Sequence, residues 1–102
     1  LGDHLQQLRD LIDQLDEEIV LKLGARMDIV ERIGEHKQEH KVAILQPERW
    51  ERIMKRQLQL SKGLGLSPAF VEAFMNAIHQ ESIRRQSSVR SGAGEGVSGS
   101  QG

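Results

Sequence analysis

Arg26 and Lys37 stand where an amphipathic helix would bury apolar side chains. Eleven residues at 100° each make three turns plus about 20°, so the two cations point the same way, roughly 16 Å apart along the axis. Val30 and Ile33 lie between them on that face. Two cations thus frame an apolar floor. The plainer alternative is that both snorkel or pair with acids such as Glu81. Later in the chain Ser82 and Gln86, four residues apart, share a helix face and interrupt an apolar stripe with neutral hydrogen-bonding groups. A frayed helix end where polarity returns would give the same pattern. Arg9 precedes Arg26 by seventeen residues, which places it about 25 Å away and rotated by about 100°. One straight helix cannot aim both arginines at one small ligand. Two antiparallel copies could, because dimerisation brings the first turns of one chain to the middle of the other. Otherwise Arg9 is a solvated surface residue.

Other chemistries find little support. The 102 residues contain no cysteine, which removes zinc-thiolate sites and cysteine nucleophiles and favours a reducing, cytoplasmic setting. His36 and His40 are four apart, but no third ligand is placed with them, and His4 and His79 lack metal spacing, so no metal is expected. Neither a Gly-rich phosphate loop nor a nucleophile elbow is present. A formal charge of −1 gives no global field for nucleic acid or anionic lipid, and Arg84-Arg85 without aromatic neighbours reads as solvated. No run of about 20 apolar residues is present to span a membrane, and the start has no signal-peptide pattern.

The elements that must position these residues are helical. Leu5, Leu8, Ile12, Leu15, Ile19 and Leu23 recur at spacings of three and four, and Leu11, Val20, Met27, Val30 and Ile33 broaden the stripe. One helix is expected from Asp3, as N-cap with Gln6 completing a capping box, to about Gln38. At roughly 50 Å it is too long for a compact domain about 30 Å across, so it must protrude, bend or pair with another chain. Gly24 and Gly34 are either tolerated flaws or points of close backbone approach. Val42–Leu45 reads as a loop tucked against the bundle. Pro47 opens a second helix with Trp50, Ile53, Met54, Leu58 and Ser61 inside, stopped by Gly63 and Gly65. Ser67-Pro68 starts a third, running to about Gln86, with Val71, Phe74, Met75 and Ile78 inside. The expected fold is all-α: a three-helix protomer with a very long first helix, in an intertwined helical homodimer. Residues 1–88 form the domain and 89–102 a disordered Gly/Ser-rich tail. The start at Leu1 without an initiator Met leaves room for a fused enzyme domain ahead of it.

Taken together, Leu-Arg-Asp-Leu-Ile-Asp-Gln-Leu-Asp-Glu-Glu-Ile at 8–19, Ala-Arg-Met at 25–27, Ile-Gly-Glu-His-Lys at 33–37, Pro-Glu-Arg at 47–49 and Glu-Ser-Ile-Arg-Arg-Gln at 81–86 resemble the all-α chorismate mutase family. The match runs without gaps from about Leu8 to Gln86. The resemblance implies a homodimer whose first helices pair, with Arg9 supplied to each pocket by the partner. It implies the Claisen rearrangement of chorismate to prephenate, on the route to phenylalanine and tyrosine, with no cofactor. Arg26 matches the in-chain carboxylate-binding arginine, Lys37 the lysine at the ether oxygen and Arg49 a second-helix arginine. Ser82 and Gln86 match the serine and glutamine of the third helix. Lys37 and Gln86 would be the catalytic pair.

Two positions depart from the family pattern. Gln46 stands where an Asp commonly precedes the second helix, which weakens that N-cap and removes a charge. Trp50 stands where a Glu often contacts the substrate's ring hydroxyl, and it offers only an indole N–H and an apolar wall. Hydroxyl recognition then shifts to a neighbour such as Gln46, or activity is weaker. The alternative is that Trp50 is simply a core residue. An isochorismate pyruvate lyase of the same fold, and a non-catalytic helical dimer that regulates a fused or associated enzyme, are the alternatives.

Overall fold

A computed structural model describes residues 2–95 of the chain. Three helices follow in order: α1 (Gly2–Glu39), α2 (Pro47–Ser61) and α3 (Pro68–Glu95), with a short 3-10 turn at Lys62–Leu64. No strand occurs among the described residues. α1 is the 38-residue element that the apolar periodicity demanded. It begins one residue early, so Asp3 lies within the first turn, where its charge suits the positive end of the helix dipole. The expected capping box does not form: the Gln6 amide donates instead to Asp10 Oδ1 at 2.9 Å.

α1 ends on a chain reversal with Lys41 in the left-handed region, φ 54°. The Val42 N–H donates to the Lys37 carbonyl at 2.7 Å and the Lys41 N–H to that of Gln38 at 3.3 Å, the two bonds of a Schellman cap. The cap turns 42–46 back over the end of α1. Ile44 is half-buried there, while Leu45 is 58% exposed, so the loop is tucked in at one residue. Gln46 makes no side-chain cap to α2, as its identity implied; its Nε2 donates to the Ala43 carbonyl at 3.1 Å. Gly65, at φ 72°, stops the 3-10 turn, and Ser67 Oγ accepts from the Phe70 N–H at 3.2 Å to cap α3. α3 continues nine residues past the expected end at Gln86, since Ser87, Ser88 and Val89 are compatible with a helix already nucleated. Beyond Glu95 the Gly/Ser-rich end lies outside the described residues.

α3 packs against both α1 and α2. The core is small: Met27 and Val30 from α1 meet Val71, Met75 and Ile78 from α3, with Trp50, Ile53, Met54 and Leu58 of α2 packed alongside. Phe74, expected inside, is 40% exposed. The first half of α1 extends beyond this core. Leu5, Leu8, Leu11, Ile12, Leu15 and Ile19 are each about half exposed. The molecule measures 61 × 30 × 18 Å, with a radius of gyration of 18.1 Å, where a compact chain of this length would have about 13 Å.

Candidate active site

The three helices and the 42–46 loop enclose a cavity of about 410 Å³. α1 contributes Arg26, Val30, Ile33 and Lys37, the face predicted from the eleven-residue spacing. The loop adds Val42, Ile44 and Gln46, and α2 adds Arg49, Trp50 and Ile53. α3 supplies Ser82 and Gln86. Seven of the eight residues singled out from the sequence therefore line one space. Arg9 does not: it is exposed on the protruding part of α1.

Arg26 does not pair with Glu81. Its Nη1 donates to Ser82 Oγ at 2.7 Å, and the Ser82 hydroxyl in turn donates to the Ile78 carbonyl at 2.8 Å. The serine is buried and held within its own helix, so it fixes where the guanidinium sits. Burial, and then the nearby positive charge of Arg49, push Arg26 ionisation below its ordinary value. An anion in the cavity would offset both effects. Lys37 Nζ donates to the Ile44 carbonyl at 2.7 Å, so the Schellman cap that turns the loop back also offers the lysine an anchor.

Gln86 is buried, and its Oε1 has no hydrogen-bond partner among the described residues. Leaving such a group unsatisfied costs about 1–3 kcal/mol. It sits against Gly34: a Cβ there would stand 3.2 Å from both Cα and Cγ of Gln86. Gly34 is thus the point of close approach between α1 and α3. A Cβ at Gly24 would meet nothing within 4 Å among the described residues. Glu81 bonds Arg84, at 2.5 Å, and Arg85. Arg85, read as solvated, instead bridges to Glu31 across the α1–α3 seam.

Three lining residues were not read as part of this site from the sequence: His36 and His79, weighed only as metal ligands, and Ile83. His79 stacks on Trp50 with ring centroids 3.9 Å apart and planes 12° from parallel. Trp50 therefore serves the core and the cavity wall at once. The spacing 79-82-86 could have revealed His79, because it places all three residues on one side of α3. No helix among the described residues is long and apolar enough to cross a membrane.

A family model, chorismate mutase type II, matches residues 8–87, which spans every lining residue and Arg9. The chain belongs to the chorismate mutase type II family. Among curated relatives, it is 32% identical over 82 residues to the 4-amino-4-deoxychorismate mutase of Streptomyces pristinaespiralis, covering 80% of this chain and 64% of that protein. It is 40% identical over 60 residues to the bifunctional chorismate mutase/prephenate dehydratase of Aquifex aeolicus, covering 59% of this chain and 17% of that protein. It is 30% identical over 78 residues to the T-protein of Enterobacter agglomerans, covering 76% and 21%. The chain thus spans less than two thirds of the length of each. No solved structure matches it.

Proposed function

We propose that the protein is a chorismate mutase that rearranges chorismate to prephenate for phenylalanine and tyrosine synthesis in the cytoplasm. The observation that carries this reading is the cavity lining: three cations, Arg26, Lys37 and Arg49, no carboxylate among the described residues, an apolar floor and the buried side chain of Gln86. Chorismate carries two carboxylates, an ether oxygen and a ring hydroxyl. Arg26, fixed by Ser82, and Arg49 suit the carboxylate nearer the α2 side. Arg9 of a second copy takes the other. The rearrangement is unimolecular: one C–O bond breaks as one C–C bond forms, with no proton or electron supplied. The protein must fold the enolpyruvyl arm over the ring and stabilise charge growing on the ether oxygen. Lys37 Nζ and the Gln86 amide are donors for that oxygen.

The dimer is supported by two features of α1. Its first half holds six half-exposed apolar side chains; burying the rest of each against a partner stabilises by about 1 kcal/mol apiece. The same half carries Asp10, Asp13, Asp16 and Glu17. Arg26 and Arg49 also border a shallow groove along α2 that adds Arg52, Lys55 and Arg56. An acidic helix from the partner complements that groove and delivers Arg9 beside Arg26.

The cavity also selects among related substrates. The ring amine of 4-amino-4-deoxychorismate is protonated at neutral pH, and no carboxylate among the described lining residues would receive it. The neutral hydroxyl of chorismate carries no such penalty. Incubation with chorismate and with isochorismate, followed by product identification, tests the reading. Prephenate from chorismate is expected. Pyruvate from isochorismate alone would establish the lyase, and no turnover of either would contradict the mutase reading.

A further inference from the structure

With the carboxylates assigned to arginines and the ether oxygen to Lys37 and Gln86, the substrate's remaining polar group is its ring hydroxyl. The cavity holds few groups to receive it. Trp50 presents an indole that already packs against the core. Gln46 is exposed, and its amide nitrogen is committed to the Ala43 carbonyl. His79 is different. It lies seven residues before Gln86, so the two side chains leave α3 within about 20° of each other and roughly 10 Å apart along the axis. Its ring face is covered by Trp50, which orients the imidazole edge, and neither ring nitrogen makes a hydrogen bond among the described residues. Burial and the positive charge of Arg26 push its ionisation below the ordinary histidine value. A neutral imidazole carries one donor and one acceptor, and a hydroxyl can use either.

We infer that His79 is a specificity-determining residue of this cavity, oriented by its stack on Trp50 to hydrogen-bond the hydroxyl on the substrate ring. The inference rests on the chorismate mutase reading above. Its geometry explains why a tryptophan occupies the neighbouring wall: the indole supplies the flat surface that holds the imidazole in place.

The test compares chorismate with its analogue lacking the ring hydroxyl, using wild-type protein, His79→Leu, His79→Ala and His79→Gln, with helical content checked for each. In the wild type, kcat/KM for chorismate should exceed that for the analogue. His79→Leu should lower it for chorismate about tenfold, the loss of one buried hydrogen bond, and leave the analogue unchanged. His79→Ala, which also removes the stack, should erase the preference as well. His79→Gln, which keeps a hydrogen-bonding side chain, should restore part of it. Equal losses on both substrates in the folded variants would mean that His79 only packs, and unchanged rates on both would mean that it does nothing; either overturns the inference and leaves the mutase reading standing. Turnover of neither substrate by the wild type would overturn both.

Discussion

Replacing Gly34 with alanine separates stability from catalysis. In α1 the substitution gains about 1 kcal/mol of helix propensity. Its new Cβ meets Gln86 Cα and Cγ at 3.2 Å and Cβ at 3.4 Å, so α3 or the Gln86 side chain must give by a few tenths of an ångström. Tight packing of this kind costs roughly 1–3 kcal/mol. The first offsets part of the second, and the net destabilisation should fall between about 0 and 2 kcal/mol, a fall in Tm of up to about 15 °C. Catalysis should suffer more. A 1 Å misplacement of a reacting geometry costs about 100-fold. A shift of a few tenths at Gln86, carried out to its amide, should therefore lower kcat on the order of tenfold. KM should stay near its wild-type value, because Arg26 and Arg49 are untouched. Steady-state chorismate consumption and a thermal melt followed by circular dichroism measure both quantities. In a Gln86→Ala background the same substitution should be nearly silent, since the group it displaces is gone. A normal kcat with a normal melt would refute the placement of Gln86 at the reacting atoms. A raised KM with normal kcat would make Gln86 a binding group only.

Lys37→Ala and Gln86→Ala should each lower kcat about 100-fold, the usual effect of losing one donor to a developing oxyanion, with helical content unchanged. Ile12→Asp puts a charge on the half-exposed apolar face of α1; sedimentation should show monomers, and turnover should vanish with the dimer. Lys41→Gly relieves the left-handed residue of the Schellman cap and should stabilise by up to about 1 kcal/mol, read as a higher melting temperature. The lowered ionisation of His79 means that the folded state binds its proton less readily than the unfolded chain. Stability should therefore decline slightly as pH falls below about 6.5, and His79→Leu should lose that part of the acid sensitivity in pH-dependent melts.

The periodicity of α1 was legible because its apolar stripe is long and unbroken by proline, and the Arg26–Lys37 spacing followed from helix geometry alone. Caps were less so. Asp3 and Gln6 matched a capping box by spacing, but α1 starts a residue earlier and the Gln6 amide donates to Asp10 instead. The Schellman cap at Lys41 lacks the glycine that usually announces one. The end of α3 was misplaced because Gly/Ser composition was read as a helix stop, whereas a helix already packed against two others extends through indifferent residues. His79 was weighed only as a metal ligand. What revealed it was its neighbour: a stack between residues 29 positions apart has no local sequence signature. Arg9 remains outside the cavity of one chain, and its role is carried by the proposed second copy.

A cavity completed by two chains is tested most directly by mixing Arg9→Ala with Arg26→Ala protein after subunit exchange and assaying chorismate turnover. Each variant alone should be nearly inactive. In the mixture half the dimers are hybrid, and one of the two cavities in each hybrid retains both arginines, so activity should return to roughly a quarter of wild type. Failure to recover activity once exchange has been demonstrated would contradict the shared cavity.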